Sequence, residues 1–204
     1  MKNMDHIIIP NNVKTKRKTE YLPDFPDNSN RLSDCTLCPR ECHVNRLKGQ
    51  RGRCHETSEI VVARAALHMW EEPCVSGSAG SGAVFFSGCC MGCIFCQNHN
   101  IAEAKAGKVI TTDRLAEIFL ELQSQGAANI NLVTPTHYVP QIITALELAK
   151  AKGMDLPVVY NTSGYEKAET LQMLKGYVDV YLPDFKYMEM ELAKAYSYAE
   201  DYPA

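Results

Sequence analysis

The chain has 204 residues, 46% of them hydrophobic and 22% charged, with a formal net charge of -3. That is ordinary for a globular protein and gives no basic surface for nucleic acid. No apolar run reaches the length of a membrane span, and the three isoleucines before Pro10 are too few for a signal-peptide core, so the expected location is the cytoplasm.

Residues 1–30 are polar, with little periodicity, and predict a flexible tail. Residues 31–82 hold five of the nine cysteines, one hydrophobic stretch (IVVARAALHMW) and a Gly/Ser-rich run, SGSAGSG. They are expected to form a small Cys-rich metal-binding module and a linker. From residue 83 to 204 the pattern is regular. AVFFS (83–87) predicts a strand that enters the loop SGCCMGCIFCQNHN (87–100). Leu115, Ile118, Phe119 and Leu122 recur at helical spacing after Thr112 and Asp113, with Gly126 suited to the end. NINLVT (129–134) reads as strand, and Val139 to Leu146 as helix closing near Gly153. PVVYN (157–161) is a third strand, Leu171 and Leu174 mark a third helix, VDVYL (178–182) is a fourth strand, and Met188–Tyr196 reads as helix. Alternating strand and helix implies an α/β fold with parallel strands, here about four βα units, which is a partial barrel or an open sheet. Polar loops follow each strand at the edge where such folds build sites.

An odd number of cysteines in a reducing compartment argues for metal ligation over disulfides. Cys89, Cys93 and Cys96 have the spacing C-x3-C-x2-C. Three thiolates on one short loop suit an iron–sulfur cluster and leave one iron open to an outside ligand. Cys90 is expected to point away as a bystander. Cys35, Cys38, Cys42 and Cys54 form a second set, fit for zinc or a second iron–sulfur cluster, with Arg40, Arg46, Arg51 and Arg53 offsetting thiolate charge. Cys74 is unassigned. His137 reads either as an acid or base near a substrate or as a loop histidine bonded to backbone.

The loop resembles the signature of the radical S-adenosylmethionine (SAM) superfamily, including an aromatic residue, Phe95, before the last cysteine. YNTSGY (160–165) and PDFK (183–186) look like the T-x-G and D-x-K elements of pyruvate formate-lyase activating enzymes. CTLCPRECHVNR, HMWEEPCVSG, FFSGC, FCQNHNIA and NLVTPTHY match an activating-enzyme-like branch over roughly residues 33 to 200. The resemblance implies a partial radical SAM barrel after the Cys-rich module, with a [4Fe–4S] cluster on Cys89, Cys93 and Cys96. It implies SAM contacts from Phe95, Thr162, Asp184 and Lys186. Its implied chemistry is an oxidoreductase activity: reductive cleavage of SAM to a 5′-deoxyadenosyl radical for hydrogen abstraction. The implied partners are a reductant such as flavodoxin or ferredoxin and, by extension, a glycyl radical protein. The alternative is a non-catalytic iron–sulfur or zinc module for electron transfer. In one respect the chain departs from the superfamily, whose second strand is often followed by Gly-Gly-Glu: here that loop is Thr134-Pro135-Thr136-His137, without a carboxylate. The family pattern normally continues through further βα units, so a truncated chain is also expected.

Overall fold

The structure is a computed structural model that describes residues 29–202. The tail expected over residues 1–30 thus lies, except for its last two residues, outside the described part.

A short helix α1 (Ser29–Ser33) is followed by irregular chain through the first cysteines, and then by β1 (Ile60–His68). After a one-turn helix α2 (Pro73–Ser76) come β2 (Ser81–Phe86), another single turn α3 (His99–Ala102) and the short β3 (Lys108–Ile110). The regular part continues with α4 (Thr112–Ser124), β4 (Ile130–Val133), α5 (Val139–Ala151), β5 (Val158–Thr162), α6 (Ala168–Met173), β6 (Val180–Pro183) and α7 (Met190–Ser197). The strands form one sheet in the order β3-β1-β2-β4-β5-β6. The pairs β2–β4, β4–β5 and β5–β6 are parallel, joined by helical crossovers. β1 runs antiparallel to both β2 and β3. The fold is therefore α/β with a mostly parallel sheet. The hydrophobic stretch of residues 60–68 belongs to that sheet, so strands on both sides of residue 82 build it.

Local chemistry explains the elements. β2 is buried at five of its six positions, as a strand covered on both faces must be. α4 buries Leu115, Ile118, Phe119 and Leu122 on one stripe against β1, β2, β4 and α5. Its cap is Thr111, whose Oγ1 accepts the amide of Arg114 at 3.1 Å, so the helix starts on the expected Thr112 with the residue before it as cap. α5 carries Pro140 in its first turn and buries Ile142, Ala145, Leu146 and Ala149. Burying each such large side chain contributes about 1.5–3 kcal/mol. By contrast β6 is exposed or half-exposed at all four positions. It forms one edge of the sheet.

Candidate functional site

The site lies where β2, β4, β5 and β6 end. β2 delivers the chain into the cysteine loop through Gly88. A side chain there would meet the Cys54 carbonyl oxygen at 2.4 Å and the Glu56 Cγ at 2.7 Å, and φ is +84°, so only glycine fits. Gly92, at φ +66°, lets the guanidinium of Arg53 approach to within 2.6 Å of where a Cβ would stand. The loop is thus threaded between its own strand and the earlier cysteine segment.

Within the loop, Cys93 is buried, and Cys89 and Cys96 are partly buried against the same cluster of Cys38, Cys90, Met91, Tyr165, Tyr187 and Tyr202. The thiol of Cys90 lies between Cys38 and Cys89. Its hydrogen bond to Cys89, with backbone amides of Gly92 and Met91, outweighs burial and lowers the Cys89 thiol to about 6. Cys90 has a single S–H, set among the Cys38 and Cys89 sulfurs and the Tyr165 carbonyl; those neighbours and burial hold it protonated and push it far up. Cys96 is raised by burial. Ser197, at the end of α7, donates to the Cys93 sulfur at 2.9 Å, and Tyr187 backs that serine at 2.6 Å.

The other expected SAM residues surround the loop unevenly. Phe95 is 58% exposed and meets the edges of Tyr187 and Tyr196. Asp184 and Lys186 pair with each other at 2.6 Å. Burial pulls the Lys186 ammonium down, but Asp184 and the charges of Cys93 and Cys89 carry it upward overall. Thr162 is buried and donates to Glu166.

Glu166 is the residue that the sequence did not reveal. Its carboxylate accepts from Thr136 Oγ1 at 2.6 Å, from Thr162 Oγ1 and from Tyr160 Oη at 3.4 Å. Thr136 sits in the loop after β4, so a carboxylate from the loop after β5 reaches the loop that has none of its own. Burial raises the acid to about 7 against those three donors, and the charge of Cys89 adds to the rise. Glu166 forms no ion pair among the described residues. A signal was available: an acid four residues after Thr162, directly following TSGY.

His137 is buried, and its Nε2 donates to the Ser87 carbonyl at 2.7 Å. Burial first, and the charge of Arg46 second, lower it to about 3, so the ring is neutral. Of its two sequence readings, the geometry is that of the backbone-bonded histidine. Thr134, which opens the same loop, is a β-branched residue at φ +57°, a conformation usually held at functional sites by its surroundings.

The N-terminal cysteines stand apart from one another in character. Cys35, Cys38 and Cys54 are buried and Cys42 is half-buried, with the Arg53 amide donating to the Cys42 sulfur at 3.2 Å. Burial pushes Cys54 up to about 12. The charges of Arg46 and Arg40 do act on Cys54 and Cys38 and favour their thiolates, as expected, but the side chains of the four arginines make their contacts elsewhere. Arg46 donates to the carbonyls of His137 and Thr57, while Arg51 reaches its own segment at His55. Arg40 reaches the cysteine loop, and Arg53 lies over Tyr198.

Among the described residues no three His, Cys, Asp or Glu side chains converge as ligands of a single metal ion. An iron–sulfur cluster makes a different demand, since each thiolate takes its own iron. Three free thiols on one loop, with hydrogen-bond donors already on Cys89 and Cys93, fit that demand.

Comparison with known proteins bears on the same region. The chain is 31% identical over 182 residues to an uncharacterized protein of Methanocaldococcus jannaschii. That match covers 85% of this chain and 51% of the relative, so the chain spans about half the length of the curated relative it matches. No solved structure matches. Among the described residues no helix is long and apolar enough to cross a membrane. The model of the Radical SAM superfamily matches residues 83–201, from within β2 through the cysteine loop to four residues past α7. With more than half of its length matched, the chain belongs to the radical SAM superfamily.

Proposed function

We propose that Cys89, Cys93 and Cys96 hold a [4Fe–4S] cluster whose open iron receives SAM, and that the protein abstracts hydrogen from a substrate. The observation that carries this is the gathering of three free thiols on one loop at the carboxyl edge, within the electrostatic reach of Glu166 and Lys186. When bound, the cluster supplies one electron that splits the sulfonium into methionine and a 5′-deoxyadenosyl radical. The chain's own residues bind and orient. Glu166, held by three hydroxyls and without a counter-cation among the described residues, takes the ammonium of SAM in the absence of a carboxylate after β4. Lys186 offers a cation to the SAM carboxylate, in exchange for its present partner Asp184. Phe95 offers an exposed ring at the loop's rim. A glycyl radical protein is the proposed substrate partner, on the likeness to activating enzymes. The reductant would be a flavodoxin or ferredoxin. Cys35, Cys38, Cys42 and Cys54 are proposed as a second site, for iron–sulfur in preference to zinc, because no three of them converge on a single ion among the described residues.

A second reading is a non-catalytic iron–sulfur or zinc module. The free thiols favour it as well, because an iron–sulfur cluster on them can relay electrons without cleaving SAM. Anaerobic reconstitution separates the two. The enzyme reading expects 5′-deoxyadenosine under reductant and a cluster spectrum altered by SAM, both lost in Cys93→Ala. Unchanged iron content and SAM cleavage in Cys93→Ala would sink the assignment.

A further inference from the structure

Arg40 stands where three segments meet. Its Nε donates to the Cys90 carbonyl at 2.9 Å, and its Nη2 to the carbonyls of Met91 at 3.2 Å and Ser197 at 2.8 Å. Its Nη1 donates to the carbonyl of Tyr198, and its Cζ lies 5.2 Å from the centre of the Tyr165 ring. Two of these acceptors belong to the cysteine loop. The other two belong to the end of α7, where helical carbonyls lack partners and carry partial negative charge. A planar fork with five donors can span both; an ammonium cannot.

The end of α7 touches the loop at two further points. Ile94 donates its amide to the Tyr196 carbonyl at 2.9 Å, and Ser197 Oγ donates to Cys93 Sγ at 2.9 Å. We propose that Arg40 is a positioning residue: it clamps α7 to the cysteine loop so that the Ser197 hydrogen bond lands on Cys93, and so sets the reduction potential of the cluster there. This rests on the assignment of that cluster to Cys89, Cys93 and Cys96. Reduction adds negative charge, and a hydrogen bond to a ligand sulfur favours the more negative state. Loosening the clamp therefore moves the potential downward. Because Arg40 acts through Ser197, the two losses do not add. The clamp also places this control in the Cys-Pro-Arg turn that carries Cys38.

The test is a redox titration, read by electron paramagnetic resonance, of the anaerobically reconstituted full chain. Arg40→Lys keeps the charge and loses the fork. It is expected to lower the midpoint potential and alter the reduced signal as Ser197→Ala does, and to add no further shift in a Ser197→Ala background. Arg40→Lys with the wild-type potential, or with the same shift whether or not Ser197 is present, overturns the proposal. A wild-type chain that assembles no cluster overturns the underlying reading as well. Hydrogen exchange of the metal-free chain gives a second measurement, also usable if Arg40→Lys fails to take up iron. Faster exchange of the Ile94 amide in Arg40→Lys supports the clamp, and an unchanged rate refutes it.

Discussion

The sheet with α4 and α5 and the segment of residues 35–58 contrast in what holds them. The first buries a continuous set of aliphatic and aromatic side chains, from Ile60 through Phe119 to Val158. The second has a small apolar cluster, Cys35, Leu37 and Val44 packed with Leu32, lends Cys38 to the cluster of thiols and tyrosines, and is otherwise fastened by polar groups. Arg40 and Arg46 donate to carbonyls of the loops after β2 and β4, and Thr170 Oγ1 donates to the Leu37 carbonyl at 2.8 Å. Apolar burial is indifferent to small shifts in geometry, while hydrogen bonds to carbonyls are directional. The rigid sheet places the strand ends, and the polar segment then fixes the loops that carry the chemistry.

Truncation in each region is the strongest way to break this contrast. Phe119→Ala removes a fully buried ring from the apolar core and should cost about 3–5 kcal/mol in urea unfolding of the metal-free chain. Arg46→Met keeps much of the volume against Tyr138 but leaves the carbonyls of His137 and Thr57 without a donor. About 2–3 kcal/mol is expected, with faster hydrogen exchange confined to residues 43–58 and 134–138. Uniform acceleration over the whole sheet in Arg46→Met would mean that the two regions are one cooperative unit.

The first region was legible in the sequence and the second was not, for a physical reason. The apolar spacing of Leu115, Ile118, Phe119 and Leu122 and the strand–turn punctuation of NINLVT are local, and the helices and parallel strands fall where they point. The stretch of residues 60–68 announced itself as hydrophobic, but its pairing with β2 depends on an antiparallel return that no local pattern encodes. Likewise the thiol loop was readable from its spacing, whereas Glu166 meets Thr136 across 30 residues and Arg40 meets Tyr198 across 158. Charged groups that act through distant carbonyls and hydroxyls leave no periodicity behind.

Glu166 offers a smaller effect of opposite sign. Burial holds its carboxyl at about 7 in the folded chain, against the model-peptide value near 4.5. The folded state therefore binds more protons than the unfolded state between those values. Its contribution to stability is full below the lower value and is lost as pH rises through the higher one. Glu166→Gln should flatten the stability profile from pH 4.5 to 7. At pH 8 it should stabilise the metal-free chain by roughly 1–2 kcal/mol, less than the full shift implies because the residue retains some solvent contact. A profile as steep as the wild type's would mean that burial does not raise the Glu166 acid, and would weaken its assignment to the ammonium.

The smallest effect concerns the ion pair of Lys167 with Glu41, which joins the loop after β5 to the N-terminal segment. By position it looks like a tie between the two regions. Lys167 nonetheless acts on an exposed carboxylate, and screened surface pairs contribute little. Lys167→Met should leave the unfolding midpoint unchanged in 0.15 M salt, and should not alter exchange in residues 35–58. A clear loss of protection there would mean that charge on the surface, and not the buried donors Arg46 and Thr170, fastens the segment to the sheet.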